Sequence, residues 1–314
     1  MISSDPKVGT SAGGMVGYLF KLDPDSTSSM LGVGGTYSTT DSLLGGVFLR
    51  TYWDQDRKRF IFFGGGGKIN NDYEDFLGSG LPAQTTDNMR VLQARYLQQV
   101  KDKWFAGVKA TYTNYLISSE DGYVNGILES LGLTGFDSVA LGLIAMYDSR
   151  NNQNTPSEGI QFNLENFAYR EALGGEEDFD VYTMKYSHYL PHGNGNVLAY
   201  RINGRWTSDA SPGGYSSVSL RGYTRGQYLV PHSTLIEFEE RLHLKGRFGV
   251  NFFAGLASLY GDGLKWSDAE NLYPSLGLGG QIILNEAEQM AMTFDVAFGK
   301  SGNNGFYMRF GQAF

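Results

Sequence analysis

Apolar and polar residues alternate along this chain with a period of two, in runs of roughly ten residues, which is the spacing of β-strands. In 196–207 one face carries Leu198, Tyr200, Ile202 and Trp206, and the other Arg201, Asn203, Arg205 and Thr207. In 234–244 the apolar face is Ile236, Phe238, Leu242 and Leu244, broken only by Glu240, against Glu237, Glu239, Arg241 and His243. Residues 104–116 set Trp104, Ala106, Val108, Ala110 and Tyr112 against Lys109, Thr111 and Thr113. The last segment sets Phe306, Met308, Phe310 and Phe314 against Tyr307, Arg309 and Gly311. A soluble sandwich alternates too, but its strands average about five or six residues. These runs match the ~9–11 residues with which a tilted strand crosses a bilayer.

Read backward from Phe314, strands are predicted at 304–314, 290–299, 272–284, 247–259, 232–244, 194–208, 178–190, 157–170, 137–148, 103–117, 88–101, 57–70, 42–52, 29–40 and 11–22. Short connections at 101–103, 191–195 and 245–246 alternate with long ones at 70–87, 118–136, 209–231 and 260–271. Bacterial outer-membrane barrels have short periplasmic turns and long external loops, which puts the C-terminus in the periplasm. Such barrels have an even strand number, so residues 1–4 are read as the remnant of a short first strand that closes against the last. The predicted fold is therefore all-β: a transmembrane, antiparallel, up-and-down β-barrel of sixteen strands, one domain over 1–314 with no linker.

Composition agrees. The 314 residues include 43 Gly, 20 Phe and 20 Tyr, and only 18% are charged, which favours sheet and tight turns over helix. No run approaches the ~18 consecutive apolar residues of a spanning helix. The absence of cysteine excludes disulfides and thiolate metal sites. A net charge of −8 argues against a nucleic-acid partner, which would need clustered Lys and Arg. No secretory leader is evident, so export would imply a mature or recombinant start.

Three motifs, in order, make the chain resemble the BamA/TamA superfamily, the bacterial surface antigen barrels. Leu220-Arg221-Gly222-Tyr223, in the longest loop, is similar to the Val-Arg-Gly-Phe/Tyr tip of the loop that folds back into the barrel. Tyr147-Asp148-Ser149-Arg150-Asn151, followed by Pro156-Ser157-Glu158-Gly159, resembles the family's turn before a central strand. Phe310-Gly311-Gln312-Ala313-Phe314 resembles the C-terminal β-signal. The resemblance implies that loop 209–231 enters the lumen, with Arg221, Gly222 and Tyr223 at its anchor and Glu237 or Glu239 accepting from the arginine. It also implies that Phe306, Met308, Phe310, Gly311 and Phe314 form a signal and one lip of a lateral seam. The chain departs from the family in having no POTRA modules before the barrel. It also has Phe253-Ala254-Gly255 where Asp-x-Gly is frequent, so the usual acidic partner of the loop arginine is missing there.

Other motifs are weaker. Gly9-Thr10-Ser11-Ala12-Gly13 matches a Gly-x-Ser-x-Gly nucleophile elbow, but an elbow needs a preceding strand, a following helix and oxyanion donors. Residues 11–22 continue instead as strand. Gly64–Gly67 lacks the Lys-Ser/Thr ending of a phosphate loop and follows an aromatic strand run, so it reads as a bend or close approach. His188, His192, His232 and His243 show no metal spacing. Trp53, Trp104, Trp206, Tyr228, Tyr260 and Trp266 lie near strand ends and suit interfacial girdles.

The function expected from these readings is non-enzymatic: an integral barrel of the Gram-negative outer membrane, related to assembly and translocation factors. It would assist membrane-protein insertion or polypeptide transport through a lateral seam. The alternatives are a passive or plugged small-solute pore, or a structural dimeric barrel. Expected partners are outer-membrane lipid, unfolded barrel clients and a second copy. No cofactor, metal or nucleic acid is expected.

Overall fold

The computed structural model describes the chain except for residues 1, 6, 75, 77–80, 225, 287–289 and 313, and of residues 3–5 and 310 it describes only the backbone. In chain order the strands are β1 (Ile2–Asp5), β2 (Gly9–Phe20), β3 (Ser29–Ser38), β4 (Leu43–Trp53), β5 (Lys58–Tyr73), β6 (Ala83–Lys101), β7 (Trp104–Ser118), β8 (Gly135–Asp148), β9 (Gly159–Tyr169), β10 (Phe179–His192), β11 (Asn196–Ser208), β12 (His232–Lys245), β13 (Phe248–Tyr260), β14 (Leu272–Asn285), β15 (Met290–Gly299) and β16 (Asn304–Phe310). β2 to β16 make one continuous antiparallel up-and-down sheet of fifteen strands. Each predicted segment overlies one of them. β5 runs on to Tyr73 and β6 begins at Ala83, so this hairpin stands taller than the alternation alone shows.

The strand order returns on itself, β16 meeting β1 and β1 meeting β2. That joint is thin. β1 pairs with β2 over four residues, but with β16 only at Ser4 and Phe306 among the described residues. By comparison, β15 and β16 pair at seven positions from Met292–Phe310 to Phe298–Asn304.

Burial runs opposite to that of a soluble domain. Glu237, Glu239, Arg241, Asp148 and Asp295 are buried, whereas Val16, Leu143 and Leu276 are 75%, 68% and 63% exposed. On β8 the inward register is Ser138, Ala140, Gly142, Ile144, Met146 and Asp148, and Leu141 and Leu143 point out. An apolar exterior around a polar interior fits a lipid surround. No helix among the described residues is long and apolar enough to cross a membrane.

Aromatic pairs sit near both rims. Trp53 lies beside Tyr96 and Trp104 beside Tyr147 at the short-turn end. At the long-loop end Trp206 Nε1 donates to Tyr260 Oη at 2.7 Å. Tyr228 does not join this belt: it packs on Tyr273 in the cluster under loop 209–231. The outward Glu240, the exception on its apolar face, meets His192 at 2.6 Å near the short turns.

Two sequence readings are changed by the structure. Loop 118–136 holds a helix, α1 (Gly122–Ser130), started by Asp121, whose carboxylate accepts from the Tyr123 N–H. The strand reading of 11–22 stands: Ser11 of the Gly-x-Ser-x-Gly match lies inside β2, paired with Ser3 and Ser38. The last strand ends at Phe310. Gly311 turns the chain in the left-handed region (φ +86°), and Phe314 leaves the outer face to pack against the inward Tyr189, Val197 and Ala199.

Glycine pairs run in register across four strands: Gly14 opposes Gly35, Gly34 opposes Gly46, Gly35 opposes Gly45, Gly45 opposes Gly66 and Gly46 opposes Gly65. The backbones approach so closely that a Cβ on Gly67 would stand 2.0 Å from the Leu43 carbonyl oxygen. The glycine run of β5 is therefore a close-approach band, as its strand context indicates.

Candidate functional site

Loop 209–231 leaves β11 at the long-loop end and turns down between the walls. Val218, Leu220 and Tyr223 are buried with Leu235, Ala257, Leu259 and Tyr273 of the sheet. That cluster removes the apolar side of the loop tip from water and leaves Arg221 aimed at the wall.

Arg221 is buried among three carboxylates. Its Nη2 stands 2.7 Å from Glu237 Oε1, and its Nη1 stands 2.7 Å from Glu239 Oε2 and 3.0 Å from Asp295 Oδ2. The guanidinium plane also covers the Phe253 ring at 3.4 Å. Further arginines share the acids. Arg201 Nε donates to Glu237 at 2.7 Å, Arg241 Nε to Glu239 at 2.7 Å, and Arg309 Nη1 to Asp295 at 2.8 Å. Burial by itself would lower the Arg221 pKa, but Glu239, Glu237 and Asp295 more than reverse this and hold the guanidinium charged.

The neighbours of Arg221 fix the backbone. Gly222 adopts φ +92° and presses on the Phe298–Gly299 backbone of β15, where a Cβ would come within 3.1 Å of Phe298 C. Its N–H donates to Tyr307 Oη at 2.9 Å. Tyr223 Oη donates to the Pro274 carbonyl at 2.6 Å and accepts from the Lys300 N–H at 2.8 Å. Ser275 Oγ donates to the Arg221 carbonyl at 2.6 Å. The loop tip thus touches β12, β13, β14, β15 and β16 together.

Alternation places Glu237 and Glu239 on one polar face of their strand, and the structure brings both to Arg221. Sequence reasoning misses Asp295. The available signal is that Asp295 is the one acid of β15, in register with the inward Ala291, Thr293 and Ala297. Where the family pattern would put an acid, Phe253 instead supplies a ring face, and the acid comes from two strands further on.

Of the residues expected at a seam, Phe306 pairs with Ser4, while the intervening Tyr307 and Arg309 turn inward to Gly222 and Asp295. Phe306 and Met308 are half-buried on the other face, and the Phe310 side chain lies outside the described residues. Phe314 is drawn inward instead. Arg201 lies 5.0 Å from its ring, and Arg241 Nη2 donates to its main-chain oxygen at 2.9 Å.

The second motif forms the 149–158 connection at the short-turn end. Asp148 binds Arg59 Nη1 at 2.5 Å and Arg150 Nε at 2.9 Å. The connection reaches across the mouth: Arg50 Nη2 donates to Asn154 Oδ1 at 2.7 Å and Arg241 Nη1 to the Pro156 carbonyl at 3.1 Å. The four histidines do not converge, and no group of three or more potential ligands forms a metal cluster among the described residues.

No known family model matches the chain, and no curated protein is similar to it by sequence. Its fold is similar to that of solved structures. BamA from Haemophilus ducreyi lacking POTRA domains 1–3 superposes with a TM-score of 0.60 at 13% identity, over 98% of this chain and 69% of that one. CdiB from Acinetobacter baumannii and CdiB from Escherichia coli each give 0.60 at 12% identity over 98% of this chain. The likeness is one of fold. This chain spans 58% and 61% of those two CdiB chains.

Proposed function

We propose that the chain is a sixteen-strand outer-membrane barrel of the BamA/TamA kind, whose β1–β16 joint admits an incoming strand and so assists insertion or polypeptide passage. The observation that carries this reading is the thinness of the joint: among the described residues one register pair links β1 to β16, against seven between β15 and β16. Below Phe306 the outer edge of β16 has no register pair with β1 among the described residues, and a strand edge of that kind is a template for β-augmentation. Loop 209–231, pinned to β12–β16 by Arg221, Gly222 and Tyr223, stiffens that lip. The glycine band of β2–β5 gives the opposite lip few side-chain contacts with which to resist bending.

The test is the folding rate of an unfolded barrel client in liposomes, with the native chain and with a Ser4→Cys/Phe306→Cys variant, which carries no other cysteine. The native chain is expected to speed client folding, and the oxidised variant to lose the acceleration and regain it on reduction. An unchanged client rate with the native chain would refute the reading.

Placement in the membrane has its own check. Leu143, on the outer face near the middle of β8, is expected to cost about 2–4 kcal/mol of folding stability in bilayers when changed to Arg. On a water-exposed face the same change would be near neutral, so an effect below about 0.5 kcal/mol would place this face in water.

A second reading, a low-conductance pore, draws on a cavity of about 470 Å³ between the loop and β2–β5, to which Lys7, Arg201, Arg221 and Arg309 contribute. Bilayer recordings with and without residues 209–231 discriminate it: a pore gains conductance when the loop is removed. The loop and the 149–158 connection narrow both ends, so the native conductance is expected to be small.

A further inference from the structure

A separate cavity of about 340 Å³ lies at the long-loop end, between α1, loop 209–231 and the wall formed by β7 to β11. Its volume falls in the range of small-ligand sites, about 300–1,000 Å³. Tyr115, Phe136, Tyr169 and Phe179 line it. Tyr169 and Phe179 stack face to face with centroids 4.1 Å apart, and Phe136 stands 5.8 Å from Phe179 with its ring tilted by 45°, so an aromatic wall is already assembled.

The charge of this cavity is one-sided. Lys7 and Arg205 line it, and no Asp or Glu does among the described residues. Lys7 is partly answered by Asp87 at 3.9 Å. Arg205 has no ion-pair partner among the described residues. Its Nη1 donates to Ser216 Oγ at 2.9 Å and its Nη2 to the Gly214 carbonyl at 2.8 Å, both neutral acceptors on loop 209–231. Other arginines of the lumen, Arg59, Arg201, Arg221, Arg241 and Arg309, each meet a carboxylate. A cation held by neutral groups beside an aromatic wall is short of one anion.

We propose that this cavity binds an amphipathic organic anion, its ring or chain against Tyr169, Phe179 and Phe136 and its acid group at Arg205. The guanidinium would give the acid charge-assisted hydrogen bonds, the geometry in which arginine recognises carboxylates. Aromatic burial and ring contact hold the apolar body. The acid can be a free aromatic acid or the carboxyl of a released acyl chain. The site is independent of the seam and stands or falls separately from it.

Isothermal titration of the full chain in maltoside micelles tests it, with 1-naphthoate and its neutral analogue 1-naphthylmethanol, and with decanoate and 1-decanol. At least one acid is expected to bind saturably at one per chain, at least tenfold more tightly than its alcohol. Naphthoate ahead of decanoate identifies the aromatic source, and the reverse order the acyl source. Arg205→Gln is expected to remove the preference for acid over alcohol, and Arg205→Lys to keep part of it, with circular dichroism confirming the fold of each. Absence of saturable binding by either acid overturns the proposal, as does equal affinity for acid and alcohol in the native chain. A preference undiminished in Arg205→Gln also overturns it. Because the acid-to-alcohol comparison is made on the native protein, the test survives a variant that fails to fold.

Discussion

Arg221→Met is expected to lower the stability of the folded barrel by about 3–5 kcal/mol, the cost of removing one partner from a buried ion network. Methionine keeps much of the apolar stem that covers Phe253 and removes the charge. Four arginines then become three around Glu237, Glu239 and Asp295. Among the described residues Asp295 then keeps Arg309, and Glu239 keeps Arg241. A urea titration in lipid vesicles followed by tryptophan fluorescence measures the loss. Arg221→Lys is expected to fall between native and Met, since an ammonium is a point charge and does not reproduce the fork that reaches both β12 and β15. Limited proteolysis should cut within 209–231 faster in the Met variant. A stability loss below about 1 kcal/mol, the value of an exposed pair, would mean that the network is solvated and the loop not pinned by it.

Gly67→Val is expected to be comparably damaging, at roughly 3–5 kcal/mol, through strain instead of charge. Gly67 has φ +151°, and a Cβ there would lie 2.0 Å from the Leu43 carbonyl oxygen and 3.0 Å from Leu44 Cα. An unfavourable backbone region costs about 1–3 kcal/mol, and a steric insertion about 1–3 kcal/mol more. The obstructing atoms are backbone of β4, so relief requires parting the β4–β5 ladder at Leu44–Gly67. Gly14→Ala is the control, because nothing lies within 4 Å of the Cβ it would add. The same vesicle titration is expected to show the control within about 0.5 kcal/mol of the native chain. Equal behaviour of the two variants would show that the band is not held by close approach.

How much of this was legible follows from distance along the chain. The anchor's near half, Glu237 and Glu239, lies within twenty residues of Arg221 and on a face that alternation fixes, so the sequence places it. The far half, Asp295, comes from β15, and nothing in a period of two says which strands a loop will span once the sheet curls. Tyr307 and Ser275 are hidden for the same reason. The helix α1 is short, and its signals, the Asp121 cap and the buried Val124 and Leu128, are too few to stand out within a loop. At the C-terminus, alternation continues through Phe314 on paper. In space Gly311 permits a turn, and Arg201 and Arg241 hold the final residue inside.

The sequence by itself determined the fifteen long strands, the faces they present and the ends at which their long and short connections lie. It could do so because a side-chain period of two, with apolar groups on one side and polar groups on the other, is a local property repeated about every ten residues. Only the tertiary structure decided which acids close around Arg221, how β1 meets β16, and that Arg205 faces an aromatic cavity. Those depend on curvature and on contacts between residues far apart along the chain, such as Gly222 with Tyr307 and Ser4 with Phe306, which no local pattern encodes.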